Sequence, residues 1–158
     1  MNFHYKKYIG LDNYKIRFSI KGLIIYWLLL VPNIIWQLFP PINNVLLSSA
    51  TSYPILDGVE WFFRTLILLI LIFLVNKELS KNKTSYKWVA ISFLAIYYVS
   101  WILYYLGIVN PWLIILGMVI TPTFYFFFSG IWLRNYILLI PTVIFGIFHF
   151  IISILNYL

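Results

Sequence analysis

Cysteine is absent from the chain, which excludes disulfides, thiolate metal sites and cysteine nucleophiles. Carboxylates are nearly as scarce: Asp12, Asp57, Glu60 and Glu78 are the only four, too scattered along the sequence to form a metal-binding cluster. P-loop, His-Glu-x-x-His and Gly-x-Ser-x-Gly patterns are missing too, so nothing in the sequence predicts a catalytic residue, a metal ligand or a bound cofactor. Charged residues of either sign make up 9% of the chain, far below the roughly 25% of soluble domains.

What is present in their place is hydrocarbon. Hydrophobic residues make up 63% of the chain and aromatic residues 22%, a composition that fits an integral membrane protein. At 158 residues there is room for a single membrane domain, 1–158, and spans of about 20 residues allow five or six helices. The net charge of +7 could suggest nucleic acid. In so apolar a chain the basic residues instead face anionic lipid headgroups and set the topology, so the bilayer is the expected partner and nucleic acid is not.

Residues 1–21 mix Lys6, Lys7, Lys15, Arg17 and Lys21 with Phe3, Tyr5, Tyr8, Tyr14 and Phe18. Rings beside cations suit the headgroup layer, so this segment is predicted to lie on the membrane as an interfacial anchor. Five apolar runs follow, at about 22–39, 58–75, 88–106, 112–129 and 136–156, the first too long to be a signal peptide. Pro32, Pro122 and Pro141 are each predicted to kink a span. The expected fold is therefore all-α, a polytopic bundle of five transmembrane helices.

Its orientation follows from where the cations fall. Five precede the first span, Lys77, Lys81, Lys83 and Lys87 join the second span to the third, and Arg134 joins the fourth to the fifth. The alternate connections carry none. The positive-inside rule then puts the N-terminus in the cytoplasm and the C-terminus outside. Heavy use of Ile, Phe, Tyr, Asn and Lys suits an AT-rich bacterial genome, and hence a bacterial plasma membrane.

One cation, Arg64, falls inside a span. Glu60 precedes it by four residues, and ionisable groups in hydrocarbon are costly, rare and by default a functional-site hypothesis. At about 1.5 Å per residue, Arg64 lies roughly 9 Å from the outer end of its helix and His149 about 10–12 Å from the outer end of the fifth. Asn33 and Gln37, one turn apart on the first span, fall in the same outer half. Thr142, Gly146, His149, Ser153 and Asn156 form a small-and-polar stripe on the fifth span, the usual face of helix contact in membranes. The predicted site is thus a polar pocket open to the outer leaflet, lined by Glu60, Arg64, His149, Asn33 and Gln37. Its ligand would be anionic or amphipathic, such as a lipid phosphate facing Arg64. Each residue also has a structural reading. Glu60 and Arg64 can neutralise each other, His149 can serve as an interhelical donor, Asp57 can cap its helix, and Asn33 can satisfy backbone freed by Pro32.

Glu60-Trp-Phe-Phe-Arg64 resembles the Glu-Glu-x-x-Phe-Arg signature of the membrane-embedded CAAX-processing and bacteriocin-processing proteases, and Phe145-Gly-Ile-Phe-His149 is similar to their Phe-x-x-x-His. That resemblance implies a water activated by Glu60 and His149, with Arg64 orienting the glutamate. Val59 stands where the family has its first glutamate and Thr65 where it has a glycine, and no third histidine motif follows. The whole layout, with Val31-Pro-Asn-Ile, the Glu-x-x-x-Arg helix and the closing Phe-Gly-Ile-Phe-His, looks like a group of small uncharacterised multi-pass membrane proteins of low-GC Gram-positive bacteria, a resemblance that implies no activity. Three functions remain open on these grounds. The chain binds or transports an anionic or amphipathic ligand, it is a non-catalytic subunit whose fifth-span stripe docks a second copy or a membrane partner protein, or it is an intramembrane hydrolase.

Overall fold

The computed structural model describes residues 11–48, 52–77 and 84–158. A three-residue strand, β1 (Tyr14–Ile16), leads into helix α1 (Ile20–Leu38). A one-turn helix α2 (Val45–Ser48) is followed by α3 (Pro54–Phe73) and strand β2 (Leu74–Asn76). Next come α4 (Thr84–Tyr105), a π-helical stretch Leu113–Ile120 running directly into α5 (Thr121–Trp132), a 3-10 turn Tyr136–Leu138, and α6 (Leu139–Tyr157). In the bundle α3 packs on α6, α4 on α5, and α1 chiefly on α3.

Among the described residues four stretches are long and apolar enough to cross a membrane: Ile20–Leu38, Ser85–Tyr105, Leu113–Trp132 and Tyr136–Tyr157. The chain is therefore a multi-pass helical membrane protein. Helix α3 is as long as these, but Asp57, Glu60 and Arg64 sit within it, so length and apolarity alone do not mark it as a span.

The end of one helix differs from expectation. The second apolar run does not stay helical to Val75: α3 ends at Phe73, and Leu74–Asn76 pairs antiparallel with Tyr14–Ile16. Over residues 14–16 the basic segment before α1 is one strand of a ladder, so the fold is helical without being purely α. Residues 1–10 of that segment, with Lys6 and Lys7, lie outside the described residues, as do Lys81 and Lys83. The ladder forms because the β-branched and aromatic residues of both segments suit extended backbone, and because the neighbouring loop supplies partners. Tyr14 Oη donates to the Arg134 carbonyl at 3.3 Å and Asn76 Nδ2 to the same oxygen at 2.9 Å. Arg134 presents it from a left-handed backbone conformation, φ 54°. Asn135 Nδ2 returns a bond to the Leu74 carbonyl at 2.8 Å. Three basic segments are thus tied together at one end of the bundle.

The opposite end is tied by aromatic hydroxyls. Tyr104 Oη accepts from Leu46 N at 3.2 Å and contacts Asn44 Oδ1, which also takes Trp36 Nε1 at 3.0 Å. Tyr105 Oη donates to the Phe39 carbonyl at 2.9 Å. Here Asp57 acts differently from expectation. The N-cap of α3 is Tyr53, with Pro54 at the first helical position, and the Asp57 carboxylate reaches back one turn to accept from Tyr53 N at 2.8 Å.

The prolines act locally. Pro32 has no N–H for the Leu28 carbonyl one turn before it, and Tyr98 Oη supplies that bond from α4 at 2.6 Å. Asn33 serves the next carbonyl, Leu29, at 3.2 Å. In place of a simple kink at Pro122, the preceding two turns widen to π-helix, the arrangement that accommodates a missing donor, and the Thr121 hydroxyl donates to the Gly117 carbonyl. Pro141 lies in the first turn of α6, where an absent N–H costs nothing.

Candidate functional site

Glu60 and Arg64 stand one turn apart on α3, and α6, the helix packed against it, brings His149 to the same place. Glu60 Oε1 lies 3.4 Å from His149 Nδ1 and 3.8 Å from Arg64 Nη1. Enclosure falls off outward from the acid: the Glu60 side chain is 12% exposed, His149 28% and Arg64 49%. A carboxylate shared between two nitrogen donors satisfies the costliest buried group first.

The histidine is held from three sides. Its ring stacks on Phe145, one turn earlier, with centroids 5.1 Å apart. Its carbonyl accepts the Ser153 hydroxyl at 2.7 Å, and Glu60 faces Nδ1. A neutral imidazole oriented with Nδ1–H toward a carboxylate leaves Nε2 as its basic nitrogen. The arginine is less constrained. Its guanidinium meets Glu60 at 3.8 Å and stays half exposed.

The two amides of the first span go elsewhere. Asn33 Nδ2 donates to Tyr97 Oη of α4 at 2.7 Å as well as to its own helix, so it stitches α1 to α4. Gln37 is exposed on the last turn of α1. Of the five predicted residues, the fold brings Glu60, Arg64 and His149 into one cluster and gives Asn33 and Gln37 other surroundings. The small-residue stripe on α6 is used within the chain. Thr142 and Ser153 are buried, and a Cβ on Gly146 would overlap the Thr123 side chain.

Among the described residues no group of three or more His, Cys, Asp or Glu side chains is gathered as a metal site. The cluster is a contact at the α3–α6 seam, and four well-formed cavities among the described residues are lined by other side chains. Chemically it offers an enclosed acid, an oriented imidazole and an outward guanidinium. No family model, curated protein or solved structure matches this chain.

Proposed function

We propose that the chain crosses a bacterial plasma membrane five times, N-terminus in the cytoplasm and C-terminus outside, and that the Glu60, His149 and Arg64 cluster binds or carries an anionic or amphipathic ligand, such as a lipid phosphate, in the outer half of the bilayer. Helix α3 is the second crossing in chain order, added to the four long apolar stretches. The ladder between β1 and β2 holds the start of α1 and the end of α3 at one face of the bundle, so a chain that goes outward along α1 returns along α3. Pairing lowers the cost of its ionisable residues in hydrocarbon, and Asp57 stays at the helix terminus.

The observation that carries the ligand reading is the gradient of enclosure. His149 stands closer to Glu60 than Arg64 does, and Arg64 remains half exposed. A guanidinium has five N–H donors, and one distant carboxylate oxygen leaves donors for a phosphate, which guanidinium groups bind through paired hydrogen bonds. Native mass spectrometry of the gently solubilised protein tests this. Wild type should carry an anionic adduct that Arg64→Gln loses and Gln37→Ala keeps; equal adducts on wild type and Arg64→Gln would overturn the reading.

A second reading, intramembrane hydrolysis of a peptide, is favoured by the 3.4 Å approach of Glu60 to His149, since these are the residues that the resemblance to CAAX-processing proteases would pair around a water. It requires Glu60→Gln and His149→Ala each to abolish the release of new amino termini from membrane-inserted peptides while the fold persists. Turnover surviving either substitution removes it.

A further inference from the structure

The basic end of the bundle carries a further feature, away from Glu60, His149 and Arg64. Between α1, α4 and α5 runs a cavity of about 380 Å³, within the range of roughly 300–1,000 Å³ typical of ligand sites. Its walls are apolar: Ile24 and Leu28 from α1, Ala90 and Ile91 from α4, Tyr125 and Trp132 from α5. Ile24, Leu28 and Ile91 are among the exposed hydrophobic residues, so the cavity borders the surface that faces lipid.

Two features distinguish it from an ordinary lipid-facing gap. Lys21, in the first turn of α1, and Lys87, in the first turn of α4, both line it. Lys87 Nζ lies 5.4 Å from the centre of the Trp88 ring and 5.8 Å from that of Trp132, which holds the ammonium at the cavity's basic end. The second feature is Ser129, which lines the same cavity, is 1% exposed, and has a hydroxyl with no hydrogen-bond partner. Among the described residues the other buried helical serine and threonine hydroxyls, Ser100, Thr121, Thr142 and Ser153, all donate to the carbonyl four residues back. Ser129 alone among them does not, and an unpaired buried hydroxyl costs about 1–3 kcal/mol.

We propose that this groove binds an anionic phospholipid of the inner leaflet, its phosphate between Lys21 and Lys87, an acyl chain along the apolar wall, and an ester carbonyl accepting from Ser129. The order of depths fits: Ser129 precedes Trp132 by three residues, about 4.5 Å deeper along α5, as an ester lies beneath its phosphate. Snorkelling lysines beside an interfacial tryptophan suit that headgroup level.

The test titrates the full chain in mild detergent with dioleoyl-phosphatidylglycerol or dioleoyl-phosphatidylcholine and counts bound lipids by native mass spectrometry. Wild type should prefer the glycerol lipid. Lys21→Gln/Lys87→Gln should lose that preference by on the order of tenfold, since each lysine near a headgroup contributes about 1 kcal/mol. Ser129→Ala should weaken binding of both lipids several-fold, and Arg64→Gln should leave the inner site unchanged, which separates its failure from failure of the outer cluster. Both lysines are at the surface end of their helices, so the double variant keeps the fold. Equal binding of the two lipids by wild type, or a preference that survives the double substitution, would overturn the proposal.

Discussion

At Glu60, three residues decide how a largely enclosed acid is stabilised. Removing one partner from a buried ionic group is far more damaging than removing the group whole, typically by about 3–5 kcal/mol for a buried pair, and Arg64 is half exposed, so its share is much smaller. Glu60→Leu should therefore lower thermal stability in detergent more than Glu60→Leu/Arg64→Leu does; additive effects would mean the two side chains do not interact. Tyr98→Phe leaves the Leu28 carbonyl at Pro32 without its donor, at a cost of about 1–3 kcal/mol, whereas Gln37→Leu should change little. Thermal unfolding of the two variants side by side checks this contrast. Tyr14, outside the spans, is a further case. Burial pushes its phenol above the ordinary value of 10.0. Its contribution to stability is then complete below pH 10 and lost as pH rises through the shifted value, and Tyr14→Phe should remove that alkaline loss.

Between elements, the closest approach is α1 against α3. A Cβ at Gly22 would overlap the Leu71 carbonyl oxygen and lie 2.6 Å from its carbon, backbone atoms that cannot rotate away. Gly22→Ala should destabilise by about 2–3 kcal/mol, while Gly58→Ala, with nothing within 4 Å, should be neutral or slightly stabilising in a helix. A comparison of unfolding midpoints is decisive, because similar midpoints would mean that α1 and α3 are not held together at Gly22. The helices themselves were legible from long apolar runs, and their observed limits fall within four residues of the expected ones. The strands were not: three-residue segments carry no periodicity, and β2 continues an apolar run whose residues suit a helix equally well.

On the scale of the whole molecule, the absence of cysteine makes topology directly measurable. Lys15→Cys, on β1, should react with a membrane-impermeant maleimide only from the cytoplasmic side, and Ile42→Cys, fully exposed between α1 and α2, only from outside. Both labelling from one side would refute the proposed crossing of α1, and with it the return along α3. The assembled bundle also makes sense of its charges. Cations gather where three segments are tied by Tyr14, Asn76 and Asn135, and the opposite end, which carries Asp57, is tied by Tyr104, Tyr105 and Asn44.

The sequence by itself determined the solvent of this protein, the approximate limits of its long helices and the end of the bundle at which its cations gather, because each follows from composition and local hydropathy. It also made Glu60, Arg64 and His149 conspicuous, since ionisable residues stand out against hydrocarbon. Only the tertiary structure decided that Glu60 touches His149, that Asn33 turns to Tyr97 and Gln37 to the surface, and that Lys21, Lys87 and Ser129 share one groove. Those outcomes depend on the rotation of each helix about its axis, which is set by close packing between distant segments, as at Gly22 on Leu71 and Gly146 on Thr123.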